Sequence, residues 1–126
     1  MIQLIQAITV KDVDAARQLF EEYAAGVGIS LCFQNFDQEL ATLPGKYAPP
    51  AGRLLLAFSD GELAGCIALR KLDARTCEMK RLFLRREFRG KGYGRIMINA
   101  LIEHAHEIGY ERMRLDTLPG KMDAAI

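Results

Sequence analysis

One stretch of the sequence restricts the fold more than any other: a basic, glycine-rich segment between two apolar segments. The segment RREFRGKGYGR, residues 85–95, holds five basic residues and three glycines in eleven positions. The preceding run CEMKRLFL, residues 77–84, is rich in the apolar residues of a strand. The following run IMINALIEHAHEIG repeats apolar residues at three- and four-residue steps, which predicts a helix ending at Gly109. The chain is therefore expected to pass from a strand through a glycine turn into a helix.

The remaining segments predict further strands and helices that suit a single α+β domain over residues 1–126. Four more runs are predicted as strands: residues 2–8, 53–59, 63–72 and 112–118. Asp60-Gly61, between two of these runs, is a strong hairpin signal. Two more helices are predicted, one starting at Thr9 and a short one over residues 37–43. We expect a mostly antiparallel central sheet covered by helices.

The charge of the chain is concentrated in its second half. The formal net charge is +1 at neutral pH, but residues 1–60 carry a net charge of −3 and residues 61–126 a net charge of +4. Seven of the thirteen basic residues in the second half lie between Lys80 and Arg95. A patch this local suits a small anionic ligand better than a long polyanion, so a nucleic-acid binder is the less favoured class.

Composition also bears on the compartment and on metal chemistry. No apolar run approaches the roughly 20 residues that span a bilayer, and the first ten residues lack a basic leader, so we expect a cytoplasmic protein. The three cysteines, Cys32, Cys66 and Cys77, follow no paired spacing, and we expect buried reduced thiols. His104 and His106 lie two apart on a helix and point in different directions, so no metal site is predicted.

The glycines of the basic segment have a physical use at the start of a helix. Gly90, Gly92 and Gly94 allow backbone angles closed to other residues and leave the backbone amides uncovered. The first amides of a helix have no internal acceptor, and the helix dipole adds partial positive charge there. We therefore predict a phosphate site, with direct charge from Arg89, Lys91 and Arg95, while Arg85 and Arg86 could hold a more distant phosphate. A flexible basic turn without a ligand is the alternative.

The segment RLFLRREFRGKGYGRIMINALIEHA resembles the signature of the GNAT superfamily of N-acetyltransferases. Residues 89–94, RGKGYG, match the family motif Gln/Arg-x-x-Gly-x-Gly/Ala, whereas the spacing fits neither the dinucleotide fingerprint nor the P-loop. The likeness covers roughly residues 53–118 well and the first strand and helix loosely. The resemblance implies the acyl-CoA N-acyltransferase fold and transfer of an acetyl group from acetyl-coenzyme A to an amine of an unidentified small molecule or protein.

The resemblance also implies which residues bind the cofactor. Contacts with the pyrophosphate fall on the loop and the start of the helix: Arg89, Gly90, Lys91, Gly92, Tyr93, Gly94 and Arg95. Contacts with the pantetheine fall on the backbone of Leu82, Phe83 and Leu84, and Leu115 and Thr117 line the opposite wall.

Two groups are candidates for the chemistry. Glu78 is the candidate general base, because it lies on the strand just upstream of the cofactor-binding backbone, where this family often places a catalytic carboxylate. A plain surface ion pair with Lys80 and Arg81 is an equally open interpretation of Glu78. The backbone amide of Leu82 is the candidate oxyanion donor, also by resemblance.

The acceptor site is expected beside the segment that follows the first helix. Three aromatic residues lie there, Phe33, Phe36 and Tyr47, and core packing is the favoured interpretation of each. The sequence does not name the amine.

The C-terminal end departs from the family pattern. Family members usually continue beyond LDTLPGKMDAAI with a helix that carries a tyrosine near the thiol, followed by two more strands. We expect the chain to stop at Ile126 inside that helix, without the tyrosine general acid, and to leave an open edge on the strand that starts at Arg112. A homodimer through that edge is expected, and the alternative function is a coenzyme A-binding module without turnover.

Overall fold

The computed structural model describes residues 2–27, 36–116 and 121–125, and the strands in these ranges form one sheet. The strands are β1 Ile2–Gln6, β2 Arg53–Ser59, β3 Glu62–Lys71, β4 Thr76–Leu84, β5 Arg112–Asp116 and β6 Lys121–Ala125. They lie in the sheet in chain order, and each neighbouring pair is antiparallel except β4 and β5, which are parallel. The predicted α+β fold with a mostly antiparallel sheet is confirmed.

The described ranges contain three α-helices, and capping signals mark two of their ends. The helices are α1 Val10–Val27, α2 Phe36–Thr42 and α3 Tyr93–Ile108. At the start of α1 the Asp12 amide donates to Thr9 Oγ1 at 3.1 Å and the Thr9 amide donates to Asp12 Oδ2 at 3.5 Å. At the end of α3, Gly109 adopts a φ of +111°, which favours glycine. Within the described ranges, none of the helices combines the length and the apolar character that a bilayer crossing needs.

Each face of the sheet packs against helices and has its own hydrophobic core. Successive strand residues point to opposite faces, so the adjacent leucines of β2 divide between the two cores. Leu54 and Leu56 pack on the α1 and α2 side, and Leu55 packs on the α3 side. Because both faces are covered, β2 and β3 are apolar along their length instead of alternating. Burial contributes about 1.5–3 kcal/mol for each such leucine.

The described pairing of strand β4 with β5 ends halfway along β4. The parallel pairing runs from Thr76 to Met79 on β4 and stops there. On its other side β4 has a bulge, because Cys66 pairs with Phe83 and Ala68 with Lys80, which leaves two residues of β4 opposite one of β3. On the β5 side, the second half of β4 therefore has no strand partner among the described residues, and a cavity borders its end on the α1 side.

The C-terminal segment differs from the prediction. Instead of entering a helix, residues 121–125 form β6, which pairs with all five residues of β5. The edge of β5 offers a row of backbone partners, and residues 121–125 pair with it. The expected open edge of β5 is therefore wrong, and dimerisation loses the basis that the sequence suggested for it. The oligomeric state stays a prediction.

Candidate active site

The cleft beside the second half of β4 is a cavity of about 740 Å³. Its walls come from α1, from the end of β4 and from the segment after it: Glu22, Tyr23, Gly26, Leu82, Phe83, Leu84, Arg85, Arg86, Glu87 and Arg89. The three residues predicted to contact pantetheine are in this wall. Among the described residues, this half of β4 has no strand partner on the β5 side, so we expect backbone groups there to be available to a ligand.

The glycine loop, residues 89–94, connects this cleft to the start of α3. Gly90 has a φ of +76° and Gly92 a φ of +80°, so the turn needs glycine at both positions. Open space surrounds the position that a Cβ would take on either residue. Gly92 is the N-cap of α3, and no side chain caps the helix. The first-turn amides of α3 therefore lack intrahelical acceptors and face solvent beside exposed Lys91 and Arg95.

Two side chains of the loop turn back onto the protein. Arg89 donates from Nε to the carbonyl oxygen of Leu84 at 2.7 Å, and its guanidinium lies 5.7 Å from the centre of the Phe83 ring. The hydroxyl of Tyr93 lies 3.1 Å from Ser59 Oγ on β2. Arg89 therefore fastens the loop to the end of β4, and Tyr93 offers its amide, not its hydroxyl, to an anion at the helix start.

Arg85 is held by α1. Its Nε and Nη2 donate to the two carboxylate oxygens of Glu22 at 3.0 and 2.9 Å, and its Nη1 donates to the Leu63 carbonyl at 3.2 Å. The Arg85 hydrogen bonds hold the pKa of Glu22 below its ordinary value of 4.5. The pair ties α1 to the end of β4, so that both walls of the cleft keep their spacing.

Glu78 lies behind the cleft. Its side chain is fully buried, and Arg70 donates from Nε to Glu78 Oε1 at 2.8 Å. Of the described residues, those that line the 740 Å³ cavity do not include Glu78. The ion pair that Glu78 makes with Arg70 on β3 differs from the surface pair with Lys80 and Arg81 considered from the sequence, because the register sets Glu78 opposite Arg70. The role of Glu78 as general base stays a prediction.

A second arrangement of charges, which the sequence did not predict, lies under α2. Arg81 donates from Nε and Nη2 to Glu39 at 2.9 and 3.1 Å, and the side chains are 1% and 6% exposed. The Arg81 guanidinium lies 5.6 Å from the Tyr23 ring and 5.4 Å from the Phe36 ring. Lys46 approaches the same carboxylate, with Nζ 3.8 Å from Glu39 Oε1. We call Glu39, Lys46 and Arg81 the ion-pair cluster.

The ion-pair cluster holds the bulge of β4. Arg81 has a φ of +60°, which is uncommon for a residue with a side chain and costs of the order of 1 kcal/mol. The two bonds to Glu39 fasten this residue to α2, and Cys66 donates from its thiol to the Arg81 carbonyl at 3.3 Å. Leu82 follows directly, so the orientation of its amide depends on this anchored residue.

The other predicted residues have structural surroundings. Cys66 and Cys77 are buried free thiols, and burial raises both pKa values, that of Cys77 to about 11. Tyr47 and Phe36 are core residues, as favoured.

The two histidines do not share a site. His104 accepts a hydrogen bond at Nδ1 from Arg53 Nε at 3.2 Å, and His106 is exposed. Leu115 is partly buried in the core on the α3 side. Cys32, Phe33 and Thr117 lie outside the described residues. A metal-binding group of three or more acidic, cysteine or histidine side chains is not found within the described ranges.

Comparisons with known proteins agree on one family. Residues 13–126 match the model of the acetyltransferase (GNAT) family. An uncharacterised N-acetyltransferase of Schizosaccharomyces pombe is 40% identical over 86% of this chain and 68% of its own length. A GNAT-family acetyltransferase of Staphylococcus aureus Mu50 superposes with a TM-score of 0.76 at 17% identity, over 93% of this chain and 73% of that one. PaiA N-acetyltransferase of Thermoplasma acidophilum, in complex with coenzyme A, superposes with a TM-score of 0.66 at 21% identity, over 91% and 78%.

Proposed function

Because the chain belongs to the GNAT family of acetyltransferases, we propose that it transfers the acetyl group of acetyl-coenzyme A to an amine by direct attack on the thioester. The observation that carries this proposal is that the described pairing of β4 with β5 ends at Met79, ahead of the glycine loop. The remaining backbone of β4 leads to a set of uncapped helix amides. A ligand with an extended amide-bearing arm and a pyrophosphate at its end matches both parts.

The residues present fit acetyl-coenzyme A. The cavity of about 740 Å³ lies within the range of small-ligand pockets, and the open space around Gly92 admits a phosphate to the amides of α3. Pyrophosphate binding is assigned to residues 89–95, with charge from Lys91 and Arg95. Pantetheine binding is assigned to the backbone of Leu82, Phe83 and Leu84. Bound acetyl-coenzyme A supplies the activated acetyl group as a thioester.

The protein's own groups supply proton removal and charge stabilisation. Glu78 takes a proton from the acceptor amine through water, since its buried carboxylate does not line the cleft. The Leu82 amide donates to the carbonyl oxygen as negative charge develops there. A nitrogen–carbon bond then forms, the carbon–sulfur bond breaks, and the sulfur leaves as the thiolate of coenzyme A. Arg70 orients the Glu78 carboxylate through its bond at 2.8 Å.

Two measurements test this function. The first is the melting temperature with acetyl-coenzyme A, with ATP as the control ligand. An excess of ~100 times the dissociation constant should stabilise the fold by ~2.7 kcal/mol, which means a rise of several degrees. A rise with ATP of equal size would show nonspecific anion binding, and no rise with acetyl-coenzyme A would contradict the cofactor assignment.

The second measurement is turnover of a Glu78→Gln variant, which keeps an oxygen for Arg70 to bind. We expect the same rise in melting temperature with acetyl-coenzyme A and a loss of roughly 10²- to 10⁴-fold in kcat. The matched control is Glu62→Gln, at an exposed position on β3. Full turnover of Glu78→Gln would show that another group takes the proton. Cofactor binding without turnover by the parent chain would instead support a coenzyme A-binding module.

A further inference from the structure

The face of the sheet that carries Glu78 is unusually rich in cations. The register places Arg70 of β3 and Arg114 of β5 on either side of Glu78. Lys80 lies two residues further along β4 and so shares that face. Cys77 and Met79 flank Glu78 along β4 and pack on the α3 side, so Glu78 lies on the face covered by α1 and α2. At the bulge, Arg81 reaches Glu39 of α2 as well. The sheet therefore presents several cations to the space under α2.

The loop after α2 adds another cation at the same place. Lys46 and Arg81 share one carboxylate, that of Glu39, at 3.8 and 2.9 Å. Partial burial lowers the pKa of Lys46; the Glu39 charge opposes this, and the charges of Arg70 and Arg81 lower it further. Lys46 therefore lies within electrostatic reach of both arginines.

The count of charges on this side favours an anion. Three cations, Lys46, Arg70 and Arg81, pair with two carboxylates, those of Glu39 and Glu78. Gathering like charges at a partly desolvated place costs free energy, and an added anion lowers that cost. A second ammonium group, as in a diamine, would raise it.

Two members of this set are accessible to a ligand. The Lys46 side chain is 43% exposed and the Arg70 side chain is 28% exposed. Arg70 uses its Nε for Glu78, and a guanidinium has further N–H donors that suit a carboxylate. A cavity of about 270 Å³ adjoins Lys46 and is lined by Gln38, Glu39, Thr42, Leu43, Pro44, Gly45, Lys46 and Tyr47. Its size suits the polar end of a small molecule.

We propose that the acceptor amine carries a carboxylate, as an amino acid does, and that Lys46 and Arg70 bind this carboxylate. The inference rests on the proposed acetyltransferase function and adds a substrate class to it. The carboxylate lies against Lys46 and Arg70, and the amine points towards the end of the cleft at Leu82. Amines that bear a second positive charge are poor acceptors.

The experiment compares acceptors that differ in charge alone. The probes are the common amino acids, the corresponding amino acid carboxamides, and putrescine as a diamine, with release of the coenzyme A thiol as the readout. We expect kcat/KM for the best amino acid to exceed that of its carboxamide by roughly 10- to 100-fold, the range of one or two charge-assisted hydrogen bonds. Putrescine should be the weakest of the three.

Variants of Lys46 then locate the effect. In Lys46→Met, the ratio of kcat/KM for the amino acid to kcat/KM for its carboxamide should fall towards one. The fall should come from a higher KM for the amino acid, with KM for acetyl-coenzyme A unchanged. Lys46→Glu should favour putrescine over the amino acid. The matched control is Lys11→Met, at an exposed position on α1, which should keep the parent ratio. A purely structural role of Lys46 would change the melting temperature or KM for acetyl-coenzyme A instead.

The outcomes separate the two proposals. Equal or better turnover of carboxamides or putrescine by the parent chain would overturn the inference and leave the acetyltransferase function standing. If both Lys46 variants kept the parent ratio of kcat/KM between amino acid and carboxamide, the role of Lys46 would be overturned. Failure to bind acetyl-coenzyme A would overturn the proposed function and the inference with it, whereas cofactor binding without acetylation of any of the three probe classes would overturn the inference alone.

Discussion

The glycine loop and the ion-pair cluster both border the end of β4, but they are built in opposite ways. The loop is one contiguous segment whose charges lie in water and whose shape depends on two glycines with positive φ. The cluster joins α2, the turn after it and β4, and its arginine and glutamate are almost fully buried. The fold should therefore keep its stability when the loop loses a charge, and it should lose stability when the cluster loses one.

The largest expected effect is on stability, from Arg81→Ala. This variant leaves the Glu39 carboxylate buried with only the more distant Lys46, so we expect the free energy of unfolding to fall by about 3–5 kcal/mol. The matched control is Arg85→Ala, which breaks an equally bidentate but partly exposed pair and should cost less than about 1 kcal/mol. Urea unfolding of both variants measures the two values. Equal losses in the free energy of unfolding would show that burial of an ion pair does not determine how much the pair stabilises the fold.

An intermediate effect is expected from glycine variants with matched backbone geometry. Gly92 and Gly61 have φ values of +80° and +85°, and open space surrounds both. Valine at either position should cost about 1–2 kcal/mol of stability, because a side chain disfavours positive φ. Only Gly92→Val should also lose the rise in melting temperature with acetyl-coenzyme A. Normal cofactor binding by Gly92→Val would remove the glycine loop from the proposed site.

The same contrast explains what the sequence could predict. The hairpin at Asp60-Gly61 is confirmed, with both residues at positive φ, because its signal lies in two adjacent residues. The strand, loop and helix around Gly92 are confirmed for the same reason. The glycine loop is therefore a local property of the chain.

The parts that sequence reasoning missed depend on contacts between distant residues. Arg81 and Glu39 are 42 positions apart, and Glu22 and Arg85 are 63 apart. Neither position has a neighbouring residue that indicates its partner, since the pairing follows from the register of β4 and from the packing of α1 and α2. Strand β6 was missed because its partner is the edge of β5, which only the assembled sheet provides.

The smallest expected effect concerns the exposed pair, Glu22 and Arg85, and its dependence on pH. Since Arg85 holds the pKa of Glu22 below 4.5 in the folded protein, the pair stabilises the fold above that value, and this contribution is lost as the pH falls through the lowered pKa. Glu22→Gln should therefore be less stable than the parent by under about 1 kcal/mol at neutral pH.

Urea unfolding at neutral pH and at pH values below 4.5, each at low and high salt, measures this dependence. The difference in the free energy of unfolding between the parent and Glu22→Gln should shrink as the pH falls, because both proteins then carry a neutral side chain at position 22. It should also shrink at about 1 M salt, where the screening length is about 3 Å. A difference that grew on acidification would mean that folding raises the pKa of Glu22, so Arg85 would not be holding the carboxylate in its charged form. The exposed pair would then behave as a desolvated group, and its contrast with the buried Arg81–Glu39 pair would fail.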